Sequence, residues 1–356
     1  MDTETRLAHG RGLERTRRAW RAALVPFVVS RLVSNGLVAI MVSISNRRIV
    51  SQGFALFDGR WYLAIARGGY PSLVAHHGQT TWAFFPLYPA AIHVVGATGM
   101  PGWVAGVVIS HVAFYVALVG LYRLVARRCS PTAAELAVWS LALFPAAFIF
   151  SLVYPSSVFL AASVWAFVFA DEHRDLAAGL AAATAALIRP NGLVVAIALT
   201  FAVGFAMPRV LRVVGPSIIA VAGWMAFNLA KTGDAVKFFD AKRAWPEVTL
   251  LGFTGRFGDA ALLHVILAAV ALGTVLAAAR RIPRSWTVLA ELSLIPSLAL
   301  GIVGLGRYAN ECFAPFAAAG ELLTRCGRRV RSRVFATLII GQVLFAYWIV
   351  ALRHVP

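Results

Sequence analysis

Asp58 sits in FDGRWYLAIARGGYP, residues 57–71, with Arg60 and Arg67 close behind it and a very apolar stretch on either side. A carboxylate in a partly dry cleft can act as a general base toward a hydroxyl. Cations beside it can hold the charge that develops on a departing phosphate. Two further arginines, Arg189 in IRPNG and Arg307 in GRYANE, are expected at the ends of apolar helices, where an unpaired arginine is costly. One base (Asp58) and a set of phosphate-binding cations (Arg189, Arg307, Arg60, Arg67) suit a displacement in which a hydroxyl attacks and a phosphate leaves. Plainer roles stay open for each. Asp-Gly is a common turn pair, and an aspartate at a helix start can simply cap it. The arginines can snorkel to the interface, and His76 and His77 read as solvated loop residues.

The elements that must position these residues are membrane helices. The 356-residue chain is 60% hydrophobic and 13% charged, against roughly 25% charged for a soluble domain. Its apolar runs are continuous and do not alternate, which excludes a β-barrel and predicts an all-α, polytopic membrane protein. The net charge of +18 comes from arginines between apolar runs, where the positive-inside rule places them, and does not imply nucleic acid. Cys129, Cys312 and Cys326 read as ordinary buried thiols. The first apolar run starts near Ala22 without a small-residue cleavage site, so no signal peptide is expected.

Residues 1–21 form a basic segment expected on the cytoplasmic side, and residues 22–352 a single transmembrane module with a tail at 353–356. Spans are expected at 22–44, 103–125, 133–151, 154–170, 176–189, 192–207, 213–230, 260–279, 286–305, 308–323 and 334–352, about eleven in all (10–13). The pair 176–189 and 192–207 reads equally as one long kinked helix. Residues 83–99 carry Pro86 and Pro89 and read as a surface or re-entrant helix. This parity places the outer loop 45–82 with Asp58, VYPSS at 153–157, IRPNG, GRYANE and a second outer loop, 231–260, together on the extracytoplasmic face of the plasma (inner) membrane.

Aromatics crowd that face. Trp61, Tyr62, Tyr70, Trp82, Phe84, Phe85, Tyr88, Tyr154 and Tyr308 are candidates to line a substrate groove, or else form the belt that aromatics make at headgroup level. In the second loop Lys237, Asp240, Lys242 and Arg243 could contact an acceptor headgroup, or be plain solvated residues. Arg31 lies inside the first span, where charges are functional or paired, and the sequence names no partner for it. There is no Asp-x-Asp at Asp58, no HExxH, no Walker motif and no dinucleotide fingerprint. Metal and cofactor independence is therefore expected.

FDGRWYLAIARGGY followed by TWAFFPLYP resembles the paired signature of the GPI mannosyltransferase 2 family, PIG-V, and its bacterial relatives. LFPAAFIFSLVYPSSVFL (143–160), ALIRPNGLV (186–194) and GRYANECFAPFA (306–317) resemble later, individually weaker motifs of that family. The likeness runs from about residue 25 to 320. One departure is clear: relatives often carry a Glu in the stretch that here reads Tyr154-Pro155-Ser156-Ser157. The resemblance implies a GT-C type glycosyltransferase that takes mannose from polyprenyl-phosphate mannose on the outer side and inverts at the anomeric carbon, with the first-loop Asp as base. The acceptor would be a glycolipid or other lipid-linked molecule. Other donor sugars stay open, as do a lipid flippase or transporter and an inactive scaffold subunit. Charges sited mostly at helix ends, rather than at mid-membrane, favour the enzyme over the transporter.

Overall fold

A computed structural model of the chain describes residues 3–44, 54–74, 78–244, 258–300 and 304–348. His76, His77, residues 45–53 of the first expected outer loop, 245–257 of the second, and the 353–356 tail lie outside them. The described residues are helical apart from turns and one isolated bridge between Val74 and Thr80.

The first helix, α1 (Thr3–Ile44), is one rod that joins the basic segment to the first expected span. Short helices α2 (Gly59–Gly68) and α3 (Leu87–Gly96) follow. At 10 residues, α3 is only about 15 Å long, too short to cross a bilayer. Then come α4 (Gly102–Arg128), α5 (Pro131–Ala142), α6 (Ser156–Asp171), α7 (Asp175–Ile188), α8 (Gly192–Val203), α9 (Met207–Thr232) and the short α10 (Lys237–Arg243). The chain continues as α11 (Gly258–Ala278), α12 (Arg284–Leu300), α13 (Leu305–Glu311), α14 (Ala314–Leu323) and α15 (Arg328–Ala346).

Among the described residues three stretches are both long and apolar enough to cross a membrane: Thr16–Ile40 of α1, α4 and α9. Other expected spans are built from shorter or broken helices, and prolines explain the breaks. The stretch 133–151 is α5 plus a 3-10 turn, Pro145–Ser151, bent by 76°. Stretch 308–323 breaks between α13 and α14 at Cys312 and Phe313, just before Pro315. Between α7 and α8, Pro190 follows Arg189, which is extended (φ −156°, ψ 151°), as a residue before proline prefers. Two helices with a turn between them, and no single kinked rod, therefore occupy 175–203.

The core is rich in alanine, which lets helices approach closely. Gly320 of α14 is an extreme case: a Cβ there would come within 2.2 Å of the Ala133 carbonyl on α5. Helix α4 packs between α1 and α6, α7 lies against α6 and α9, and α14 lies along α5.

The 3-10 turn is buried from Pro145 to Ser151. Irregular backbone without water needs protein partners for its polar groups. Arg31 supplies them, donating to the Ala147 carbonyl at 3.1 Å and to Ser151 Oγ at 2.8 Å, with its guanidinium 4.4 Å from the Phe114 ring centre. Asn310 donates to the Ala146 carbonyl at 3.1 Å. The partners that the sequence could not name for Arg31 are thus a carbonyl and a hydroxyl. Together these bonds hold the segment that leads directly into Tyr154.

Candidate functional site

Asp58 lies one residue ahead of α2. Its side chain makes no capping bond to the helix. Phe57, just before it, has φ +56°, a left-handed conformation costly for a bulky residue, on the order of 1–3 kcal/mol. Gly59 backs onto the segment leading to Tyr154: a Cβ at Gly59 would lie 3.1 Å from the Val153 carbonyl oxygen. A backbone bond from Val153 N–H to the Phe54 carbonyl, 2.8 Å, ties the two segments together. The Asp-Gly pair thus brings a carboxylate to the foot of α6.

There the Tyr154 hydroxyl donates to Asp58 Oδ2, and Arg307 Nη1 donates to the same Tyr154 oxygen. Arg307 Nη1 also lies 3.8 Å from Asp58 Oδ2. Tyr154 is fully buried, while the Asp58 side chain keeps 29% exposure and Arg307 11%. The carboxylate is therefore the part of this group that faces outward.

A second charged group lies behind the first. Arg189 Nη1 pairs with Glu311 Oε2 at 3.0 Å, and Ser156 Oγ donates to Glu311 Oε1. Glu311 is 1% exposed. It meets Ser156 at the first turn of α6, where a helix dipole favours negative charge. The Arg189 and Arg307 guanidinium carbons lie 5.5 and 5.3 Å from the Tyr154 ring centre, so one phenol ring links both groups. Arg307 also lies 5.2 Å from the Tyr308 ring. Lys242 of α10 carries its charge near enough to Tyr308 to act on it electrostatically.

The motif aromatics pack behind this assembly. Tyr62, Phe84 and Tyr88 form edge-on pairs, Trp61 stacks on Phe84 at 5.6 Å, and Tyr62 meets Tyr154 at 6.1 Å. Burial pushes the Tyr62 phenol above its ordinary range, so it stays protonated and is no base. Tyr88 bonds Ser110 at 3.1 Å, and Ser110 donates to the Tyr154 carbonyl at 3.1 Å. Tyr70 stacks on Trp82 at 4.9 Å, and with Phe85, Trp224 and Phe238 these form a second buried cluster joining the first loop to α9 and α10.

The structure thus brings Asp58, Arg189, Arg307, Tyr154 and Tyr308 together, with Tyr62 at their back and Lys242 within electrostatic reach of Tyr308. Arg60 and Arg67 are exposed on α2, Arg60 lying 5.4 Å from the Trp61 ring. Trp61, Tyr62, Phe84 and Tyr88 are buried in one cluster, and Trp82 and Phe85 in the other. On α10, Lys237 is half-buried, and Asp240 and Arg243 pair with each other at 3.0 Å on the exposed side. Among the described residues, no three His, Cys, Asp or Glu side chains gather as a metal site would require.

Sequence reasoning missed Glu311, Ser156 and Ser110. A signal for Glu311 was present: it is an acid inside an apolar run, the same signal that marked Arg31. Glu311 places its carboxylate on Ser156, inside the 154–157 stretch.

No protein-family model matches the chain, and no curated protein matches it in sequence. The solved structures it resembles include the oligosaccharyltransferase of Archaeoglobus fulgidus tethered to an acceptor peptide containing the NVT sequon, with TM-score 0.51 and 13% identity over 94% of this chain. The apo form of the same enzyme matches with TM-score 0.51 and 12% identity, again over 94% of this chain. The chain spans little more than half of those proteins, 56% of their length. At that identity the likeness is one of fold alone, a helical bundle shared with that enzyme.

Proposed function

We propose that this protein is a membrane glycosyltransferase that moves a sugar from a polyprenyl-phosphate donor to a hydroxyl of a glycolipid or other lipid-linked acceptor, on the extracytoplasmic side. Mannose is the sugar that the motif resemblance favours, and inversion at its anomeric carbon would give an α-mannoside. The observation that carries the reading is Asp58, a partly exposed carboxylate held by Tyr154 and Arg307 at the junction of the first loop and α6. The fold likeness to an oligosaccharyltransferase supports the same class of reaction.

In this reading the acceptor hydroxyl gives its proton to Asp58 as its oxygen bonds the anomeric carbon. The bond from that carbon to the phosphate oxygen breaks, and the lipid phosphate leaves with the electron pair. The departing charge needs cations in a low-dielectric cleft. Among the described residues Arg307 pairs with Asp58 at 3.8 Å, Lys242 of α10 acts electrostatically on Tyr308, and Arg189 contributes its field from behind, already paired with Glu311. Arg60 and Arg67, exposed on α2, would meet lipid or donor phosphates at the rim. A single phosphate leaves one developing charge, and these cations suffice for it without a metal.

The test is transfer of labelled mannose from polyprenyl-phosphate mannose to a lipid extract, with and without chelator, by the wild type and Asp58→Asn at matched protein levels. Loss of a general base costs about 10²–10⁴-fold in rate. Transfer by the wild type in chelator, and a drop of that size in the Asp58→Asn variant, is the expected result. Equal activity in both would make Asp58 a turn residue only. No transfer by either would remove this donor and favour a transporter or scaffold.

A further inference from the structure

The donor and acceptor inventory sets the sense of the hydrogen bonds around an ionised Asp58. A guanidinium only donates, so the Tyr154 oxygen accepts from Arg307 Nη1. A phenol has a single hydrogen, and it is therefore committed to Asp58 Oδ2. Among the described residues no hydrogen bond reaches Asp58 Oδ1. Among the described residues the two carboxylate oxygens are thus unequal: Oδ2 is held by Tyr154, and Oδ1 accepts no bond.

Tyr154 has little freedom to do otherwise. It is fully buried. Its carbonyl is held by Ser110, which Tyr88 holds in turn. Its ring lies beside Arg189 and Arg307 and meets Tyr62 edge-on. Pro155 follows it, and the Arg31-braced turn precedes it. A residue needed only to fill this space would not require a hydroxyl at that point.

We propose that Tyr154 is a positioning residue for the transfer reaction, which pins Asp58 Oδ2, leaves Oδ1 as the oxygen that takes the acceptor proton, and links that carboxylate to the cation that meets the leaving phosphate. This rests on the glycosyltransferase reading. The link has a direction. When Arg307 turns toward a donor phosphate, the phenol loses its donor and gives its own hydrogen less strongly to Asp58. The carboxylate then becomes the better base at the moment the donor is seated. The other charged or titratable groups facing this pair are Arg189 from the end of α7, Glu311 and Tyr308 from α13, Tyr62 from α2, and Lys242 from α10 through Tyr308.

The experiment is the pH–rate profile of Tyr154→Phe beside the wild type, Asp58→Asn and Ser110→Ala, with thermal melting of each. Removing a hydrogen bond donated to a carboxylate favours its protonated form. The acid limb for Tyr154→Phe should therefore move up by about one pH unit or more, with kcat falling and the KM for acceptor nearly unchanged. Ser110→Ala disturbs only the seat of Tyr154, so it should lower the melting temperature without moving the limb. If Tyr154→Phe does not accumulate, a difluorotyrosine at 154 keeps the ring and makes a stronger donor, so the limb should move down. A wild-type limb in Tyr154→Phe or in the difluorotyrosine protein overturns the role of Tyr154 while Asp58→Asn stays inactive. An active Asp58→Asn, or a wild type without transfer, overturns the base reading and this inference with it.

Discussion

The two ends of α6 both gather arginines and acids, yet they are built in opposite ways. At the C-terminal end Asp171 and Glu172 face Arg123, Arg127, Arg128 and Arg174, whose side chains are 25%, 45%, 50% and 61% exposed. Acids at a helix C-terminus oppose the dipole, and several partly exposed arginines offset that over Asp171 and Glu172, whose own side chains are 8% and 19% exposed. At the N-terminal end the buried acid is Glu311, brought from α13 to a place the dipole favours, with Arg189 and the Ser156 hydroxyl as partners, beside the partly exposed Asp58 with Arg307. There the charges are buried and few, and each has its own partner. The surface cluster can lose a member and rearrange in water. The buried group cannot, because each loss leaves a charge without solvent.

The largest effect should come from Glu311→Ala. It strands the Arg189 guanidinium, and breaking a buried pair typically costs about 3–5 kcal/mol. A fall in melting temperature in detergent checks it, and a wild-type melt would show that Arg189 finds water. Replacing both, with Glu311→Ala and Arg189→Met, should recover much of that loss, as a double-mutant cycle would register through a coupling of roughly 0.5–3 kcal/mol.

Arg31→Met sharpens the contrast from the structural side. It leaves the Ala147 carbonyl and the Ser151 hydroxyl without their donor, a cost of about 1–3 kcal/mol. Because that turn leads to Tyr154, transfer activity should fall in step with stability and no further. The smallest effect belongs to the other end of α6. Arg128→Ala should change the melt by less than about 1 kcal/mol, and the difference should shrink as salt is raised. A change as large as that of Glu311→Ala would erase the distinction between the two ends.

The sequence alone determined the class of fold. Continuous apolar runs with arginines between them leave a helical membrane bundle, whereas the breaks within the expected spans 133–151 and 308–323 came only with the structure. It also marked Asp58, Arg189 and Arg307, because charges beside long apolar runs are costly enough to need a reason. What it could not decide was partnership. Tyr154 meets Asp58 across 96 residues and Arg307 across 153, and Ser156 meets Glu311 across 155. Local periodicity says nothing of such pairings; they follow from how α2, α6, α7 and α13 converge. The same convergence decides that Arg189 answers to a buried carboxylate, while Arg307 reaches a phenol and an outward-facing one. The identity of a side chain is local, but the free energy of a buried charge depends on what stands within a few ångströms of it, and only the tertiary structure supplies that.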